Sequence, residues 1–152
     1  MLVVIATKDE LPLVEKLGYK NKPILITGVG GVNVIKALQN VPKTEYIVNI
    51  GYAGSNTLEI GETVEVSYVQ TYHETAQFYE DVYKYLGGKF PCYTSTDFVT
   101  KTEIEQPCLF DMELAFIVAM GFDNIRAIKV VSDNLNLKQY NKTIKETKNG
   151  KI

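Results

Sequence analysis

Three runs of apolar, largely β-branched residues, Leu2 to Ala6, Pro23 to Gly28 and Tyr46 to Gly51, constrain this chain more than any other feature. Each is nearly continuous rather than alternating, so each strand would be buried on both faces, as in a parallel or mixed sheet covered by helices. Helical spacing fills the gaps between them. Asp9 to Leu17 carries Leu11, Leu13, Val14 and Leu17, with Pro12 near the start, where proline is tolerated. Val32 to Leu38 carries Val34, Ile35 and Leu38 on one side. The order strand, helix, strand, helix, strand is that of an α/β fold.

Further along, Ile60-Gly61-Glu62 reads as a turn into a strand from Thr63 to Val69. Thr71 to Phe90, rich in tyrosine, reads as a poorly regular connection with one short helix, and Cys92 to Thr96 as a short strand. Glu113 to Met120 is apolar nearly all round and predicts a buried helix stopped by Gly121. Arg126 to Val131 is the last strand, with Ser132-Asp133-Asn134 at its carboxyl end. No repeat or linker divides the chain, so residues 1–152 read as one domain.

Bulk properties remove several function classes. A net charge of -2 and a pI near 5.5 give no footprint for nucleic acid. The one lysine-bearing stretch, Lys138 to Lys151, is diluted with Asn, Thr and Glu and reads as a solvated terminal helix or a frayed end. No charged leader precedes Leu2 and no apolar run reaches membrane-spanning length, so the expectation is a cytoplasmic protein without membrane partners. Two cysteines 16 residues apart, Cys92 and Cys108, and the single His73 argue against a disulfide framework or a zinc site, and no metal or organic cofactor is implied. His73 has no G-x-S-x-G serine with which to build a hydrolase triad and reads as a surface or partly packed residue. Tyr79, Tyr83 and Tyr85 read as packing or interface residues rather than a stacking platform for nucleic acid.

Several short stretches carry candidate chemistry, each with a plainer explanation beside it. Gly28-Val29-Gly30-Gly31-Val32-Asn33 follows a strand and opens a helix, where backbone N–H groups can hold an anion, but it also fits a tight turn that needs positive φ. Asn49 to Ser55 reads as a second small-residue turn at a strand end, and two such turns on neighbouring strands would share a crevice beyond the sheet. Asp133 would point into that crevice, or serve as a turn residue or helix cap. Met112-Glu113 at the start of an apolar helix, and Glu10 just after the first strand, could be functional carboxylates or could simply favour a helix dipole.

Taken in order, these features resemble the nucleoside phosphorylase/nucleosidase superfamily, most closely the methylthioadenosine/S-adenosylhomocysteine nucleosidases. Ala6 to Leu11 is similar to the family's first strand and acidic turn, Gly28 to Val34 to its glycine-rich turn, and Asn49 to Ser55 to its asparagine/threonine-glycine-x-alanine-glycine segment. Ile60-Gly61-Glu62-Thr63-Val64, Tyr72-His73, Thr96-Asp97-Phe98, Asp111-Met112-Glu113 and Val131-Ser132-Asp133 resemble the motifs that follow. The match is collinear from residue 2 to about residue 134 in a chain shorter than the family's usual length, the loss falling between His73 and Cys92 and after Asn134. Around Thr96 the spacing departs from the family's G-D-x-F, since Asp97 directly precedes Phe98.

The resemblance implies a three-layer fold with a central mixed, mostly parallel sheet flanked by helices, and cleavage of the N-glycosidic bond of a purine nucleoside such as methylthioadenosine or S-adenosylhomocysteine. It makes Asp133 the proton donor to N7 of the base, with Ser132 orienting it, and Glu10 the group that positions or activates the attacking water. It gives Glu113 the ribose hydroxyls and Met112 the face of the sugar. Phe98 stacks on the base, the backbone about Phe98 and Val99 reads the base edge, and Ala53 and Gly54 belong to the binding site. A small-molecule nucleoside is the implied partner, and a homo-oligomer, dimer or higher, the implied assembly. Phosphorolysis would call for a cationic clamp, usually arginine. The only arginine, Arg126, lies inside the last strand away from both glycine turns, so water ranks above phosphate as nucleophile, with a phosphorylase or a non-catalytic nucleoside-binding protein as alternatives.

Overall fold

The computed structural model describes residues 1–72 and 82–151. His73 and Tyr79 lie outside the described residues.

Chain order runs β1 (Leu2–Ile5), a 3-10 turn (Lys8–Glu10), α1 (Leu11–Lys16), β2 (Ile24–Ile26), α2 (Gly31–Leu38), β3 (Tyr46–Ser55) and β4 (Thr63–Thr71). It continues through β5 (Tyr83–Tyr85), β6 (Phe90–Thr94), β7 (Leu109–Asp111), α3 (Leu114–Ala119), β8 (Asn124–Asp133) and α4 (Leu137–Lys148). The three opening apolar runs are β1, β2 and the first half of β3, and they pair in parallel with β1 in the middle. The two glycine-bearing segments therefore flank β1 instead of sitting on adjacent strands.

The layered expectation holds in part: the sheet is mixed α/β and carries helices on both faces, but it also closes on itself. β3 pairs β8 in parallel and β7 antiparallel, β8 pairs β4 antiparallel, and β4, β6 and β7 are joined in parallel, so these five strands form a closed barrel. Closure depends on length. β3 is long enough to hydrogen-bond β1 along Ile47–Asn49 and then β7 at Gly54 and Ser55. β8 likewise serves β3 along its whole length and β4 through Ile128–Val130.

Alternation along the central strands sorts the core. Val48, Ile50 and Tyr52 of β3, with Ile128 and Val130 of β8, pack under Leu13 and Val14 of α1 and Ile144 of α4. Ile47 and Ala53, with Ala127 and Val131, face the opposite way toward Val34 and Leu38 of α2 and Leu114 and Ile117 of α3. Each buried valine, leucine and isoleucine side chain among these contributes about 1.5–3 kcal/mol of transfer free energy.

Three segments differ from the sequence expectation. Asn49 to Ser55 is not a turn: it is the buried greater part of a ten-residue strand. Of the tyrosine-rich connection, Tyr83–Tyr85 is an antiparallel edge strand on β4, where Tyr83, 62% exposed, rests on Tyr68 at 5.4 Å between ring centres. The lysine-bearing tail is neither frayed nor wholly solvated, because α4 buries Thr143, Ile144 and Thr147 against the sheet. Among the described residues no helix is long and apolar enough to cross a membrane.

Candidate active site

The carboxyl ends of β1, β3 and β8 open on a cavity of about 180 Å³, closed at the sides by the start of α3, by Phe98 and by Tyr140 of α4. Of the residues singled out in the sequence, Glu10, Ala53, Gly54, Phe98, Met112, Glu113, Ser132 and Asp133 all line it. Val99 lines an adjoining hollow together with Gly54, Phe98, Met112 and Asp133. The chain thus gathers side chains from five separate segments at one place.

Glu10 reaches this place because the 3-10 turn folds it back over β1. Its Oε2 accepts from the backbone N–H of Ala6 at 2.7 Å and of Thr7 at 3.4 Å, and its Oε1 from that of Tyr52 at 3.2 Å. The Thr7 contact completes a capping box, so the helix-end explanation is met as well. Burial raises the Glu10 pKa, against the pull of Lys129 and of the three N–H groups. The glycines of β3 have a spatial rather than a conformational purpose. A Cβ on Gly51 would stand 2.8 Å from Glu10 Oε1 and 3.4 Å from Lys129 Nζ. A Cβ on Gly54 would stand 2.9 Å from Asp133 Oδ2. Small residues here leave room for carboxyl groups, the use of a strand glycine where something must approach closely.

Glu113 occupies the cap position of α3 without capping it. That task falls to Asp111, whose Oδ2 accepts from Leu114 N at 2.9 Å, while Thr94 Oγ1 donates to Asp111 Oδ1 at 2.5 Å and accepts from Ala115 N at 2.9 Å. Glu113 instead turns toward α2, where its Oε2 accepts the N–H of Gly30 at 2.9 Å. The glycine-rich turn, with φ of +92° at Gly28 and +87° at Gly30, is therefore both a positive-φ turn and an anion holder, and the anion is the chain's own carboxylate.

Lys129 is the functional candidate that sequence reasoning missed. Strand alternation turns it to the same side as Ala127 and Val131, where it is 1% exposed and its Nζ lies 3.0 Å from Asp111 Oδ2. Burial alone would push the ammonium pKa down, yet Asp111, Glu113 and Glu10 hold it above its ordinary value. The available signal was a lysine at mid-strand in a run of valines and isoleucines, which has to meet buried counter-charge.

Burial, reinforced by the charge on Asp111, lifts Glu113 from an ordinary 4.5 to about 7, against the opposing pull of Lys129 and the Gly30 N–H. A carboxyl whose folded pKa is raised binds its proton more tightly in the folded state, so stability falls as pH rises from about 4.5 to 7. Glu113→Gln removes this penalty and keeps an oxygen for Gly30. It is expected to be more stable than the parent by about 3–3.5 kcal/mol at pH 8, at 1.36 kcal/mol per pKa unit, with the gain gone by about pH 4. Urea unfolding at the two pH values measures this.

Asp133 ends β8 with no exposed surface. Ser132 Oγ donates to its Oδ1 at 2.5 Å, and Asn136 N donates to its Oδ2 at 3.2 Å. Burial raises its pKa against those bonds. Asp133 is thus partly the turn residue of the plainer reading, while the cap of α4 is Asn136, which accepts from Gln139 N at 3.1 Å. Phe98 meets the Tyr140 ring edge-on at 5.8 Å, and Tyr140 meets Tyr52 at 6.3 Å, so the remaining wall is aromatic. Arg126 stays outside: its guanidinium pairs with Glu65 at 2.7 and 3.0 Å and donates to Tyr19 Oη at 2.8 Å.

No family model and no curated protein matches the chain. Solved structures do. The 5′-methylthioadenosine/S-adenosylhomocysteine nucleosidase of Helicobacter pylori, in complex with a substituted pyrrolidin-3-ol, superposes with a TM-score of 0.73 at 13% identity, over 96% of this chain and 91% of that one. The futalosine hydrolase of the same organism gives the same values. The S-adenosylhomocysteine nucleosidase of Streptococcus pyogenes, in complex with 5-methylthiotubericidin, gives 0.73 at 16% identity, over 97% and 90%. The fold is that of these nucleosidases.

Proposed function

We propose that this chain is an N-glycosidase that hydrolyses a purine nucleoside. The observation that carries the proposal is the meeting of three buried or half-buried carboxyl groups, Glu10, Glu113 and Asp133, around one cavity with an aromatic wall and the buried ammonium of Lys129 behind it. The fold shared with nucleosidases supports it.

In this reading the base stacks on Phe98, with its edge against the backbone of Phe98 and Val99, and the ribose lies over Met112, Ala53 and Gly54. Glu113 accepts hydrogen bonds from the ribose hydroxyls, and such bonds are strengthened by the acceptor's charge. Asp133, its pKa raised by burial, gives its proton to N7 as the bond from C1′ to N9 breaks and the bonding electrons leave with the base. Positive charge gathers on the ribosyl carbon beside Glu10 and Glu113, which stabilise it. Water adds to C1′ and surrenders a proton to Glu10, whose raised pKa suits it to accept one. Free base and free sugar result, and the proton then returns to Asp133 through solvent. Lys129 balances the carboxylates, keeping Glu10 and Glu113 ionised at neutral pH more than burial alone would allow.

Water is the preferred nucleophile for a reason of charge. The Gly30 N–H is already taken by Glu113, Arg126 by Glu65, and Lys129 by Asp111, so a phosphate dianion would meet carboxylates with these donors engaged. Base release from methylthioadenosine, S-adenosylhomocysteine, adenosine and inosine, with and without added phosphate, tests the proposal. Release at an equal rate in both conditions is expected, and strict phosphate dependence would contradict hydrolysis. Self-association, implied by the same resemblance, belongs to this proposal and is checked by light scattering.

A further inference from the structure

Among the described residues, Leu135 is the one non-glycine residue with positive φ, at 61°. A side chain with a Cβ enters that region only at a steric cost, and leucine has no polar group to offset it. Such strain persists where the surroundings enforce it. Here they do. Asn134, the residue before, is strapped down by its side-chain amide, which donates to Ser55 O at 3.1 Å and Leu58 O at 2.8 Å, while its backbone N–H donates to Gln139 Oε1 at 2.8 Å. Beyond it, Asn136 caps α4, and α4 is pinned to β8 by Thr143 Oγ1, which donates to Ser132 O at 2.6 Å. Between two fixed points the chain reverses within one residue.

The reversal has two consequences at Asp133. It swings the N–H groups of Leu135 and Asn136 back onto the Asp133 carboxyl. It also lays the leucine side chain beside that carboxyl: Leu135 Cδ2 and Asp133 Oδ2 lie 3.3 Å and 2.9 Å from the point a Cβ of Gly54 would occupy. One strained residue thus supplies hydrogen bonds through its backbone and an apolar cover through its side chain.

We infer that Leu135 is a positioning residue for Asp133, its left-handed backbone fixing the carboxyl group at the end of β8 and its side chain sealing that group from water. The inference rests on the proposed role of Asp133 for its catalytic consequence, but the arrangement itself does not depend on any reaction. The titratable and charged groups around the same walls are Asp97, Asp111, Glu113, Glu10 and Tyr140, with Lys129 paired to Asp111. Burial raises the Asp133 titration while the Ser132 hydroxyl and the two backbone N–H bonds lower it, and the apolar cover belongs to the upward side.

The test is the titration of Asp133 by carboxyl carbon NMR on aspartate-labelled protein, its resonance identified by loss in Asp133→Asn. Leu135→Gly removes the cover and relaxes the backbone, while Leu135→Met keeps an apolar side chain. Leu135→Asn, tolerant of the left-handed region, serves in place of the glycine variant should that fail to fold. The expected result is an Asp133 midpoint lower by about one unit in the glycine or asparagine variant and near the parent value in the methionine variant, with thermal stability of the glycine variant undiminished. Base release at pH 7 then falls about tenfold, and the alkaline limb of its pH profile moves toward acid by the same unit. An unchanged midpoint, or a loss of activity with an unmoved pH profile, overturns the inference. A shifted midpoint in a protein whose parent releases no base leaves the positioning role standing and removes the glycosidase reading instead.

Discussion

Asp133→Asn is expected to lower the rate of base release by about 10²–10⁴-fold, the span typical for loss of a general acid. The substitution preserves shape and leaves an oxygen for the Ser132 hydroxyl, so the structural cost falls on the backbone N–H groups of Leu135 and Asn136, the latter of which would face an amide nitrogen if the side chain keeps its orientation. The size of the effect follows from the site. Asp133 is fully buried at the carboxyl end of β8, and burial raises its pKa. That retains a proton on a carboxyl group at pH values where an exposed aspartate has lost it. Steady-state rates across pH give the check: the variant should lose the alkaline limb that Asp133 sets, along with most of kcat. A variant within threefold of the parent would remove Asp133 from the reaction.

Lys129→Met is expected to be the most destabilising single change in the site, by about 3–5 kcal/mol at neutral pH, the range for removing one partner of a buried ion pair. The thioether fills most of the space of the lysine stem, so the loss is mainly electrostatic. Asp111, 3.0 Å away, is left without its ion-pair partner, and Glu10 and Glu113 lose a shared counter-charge. Without the ammonium, the folded-state pKa values of Glu10 and Glu113 rise still further above their unfolded values. Carboxyls shifted that way weaken the fold increasingly as pH rises, so the deficit should be largest near pH 8 and shrink toward pH 5. Urea unfolding at those two pH values measures it. A deficit below about 1 kcal/mol, equal at both, would mean that the lysine does not hold the carboxylates together.

Much of this was legible in the residues, and the reasons differ from place to place. β1, β2 and the start of β3 announce themselves because strands covered on both faces must be apolar at every position. The approach of Glu10, Glu113 and Asp133 to one cavity was legible only through the order of motifs, since each carboxylate alone reads equally well as a helix cap. Asn49 to Ser55 misleads because glycine has two uses. At Gly28 and Gly30 it permits positive φ, whereas at Gly51 and Gly54 it clears space for a carboxyl oxygen, and the sequence does not say which. Barrel closure was hidden for another reason. It depends on β3 and β8 each serving two partners, and β7 contributes only three residues, too few to show a period. Lys129 and Leu135 escaped because their meaning lies in what surrounds them: a ring of carboxylates for one, and a backbone reversal between two anchored residues for the other.

The central claim is that the cavity breaks the bond between a purine and a ribose with water as the acceptor. The most direct measurement mixes the purified protein with a purine nucleoside in phosphate-free buffer at pH 7 and follows free base and reducing sugar together. Equimolar appearance of both, abolished in Asp133→Asn, is the predicted result. A folded protein that releases neither product from any nucleoside in the panel would contradict the claim and leave the cavity as a binding site.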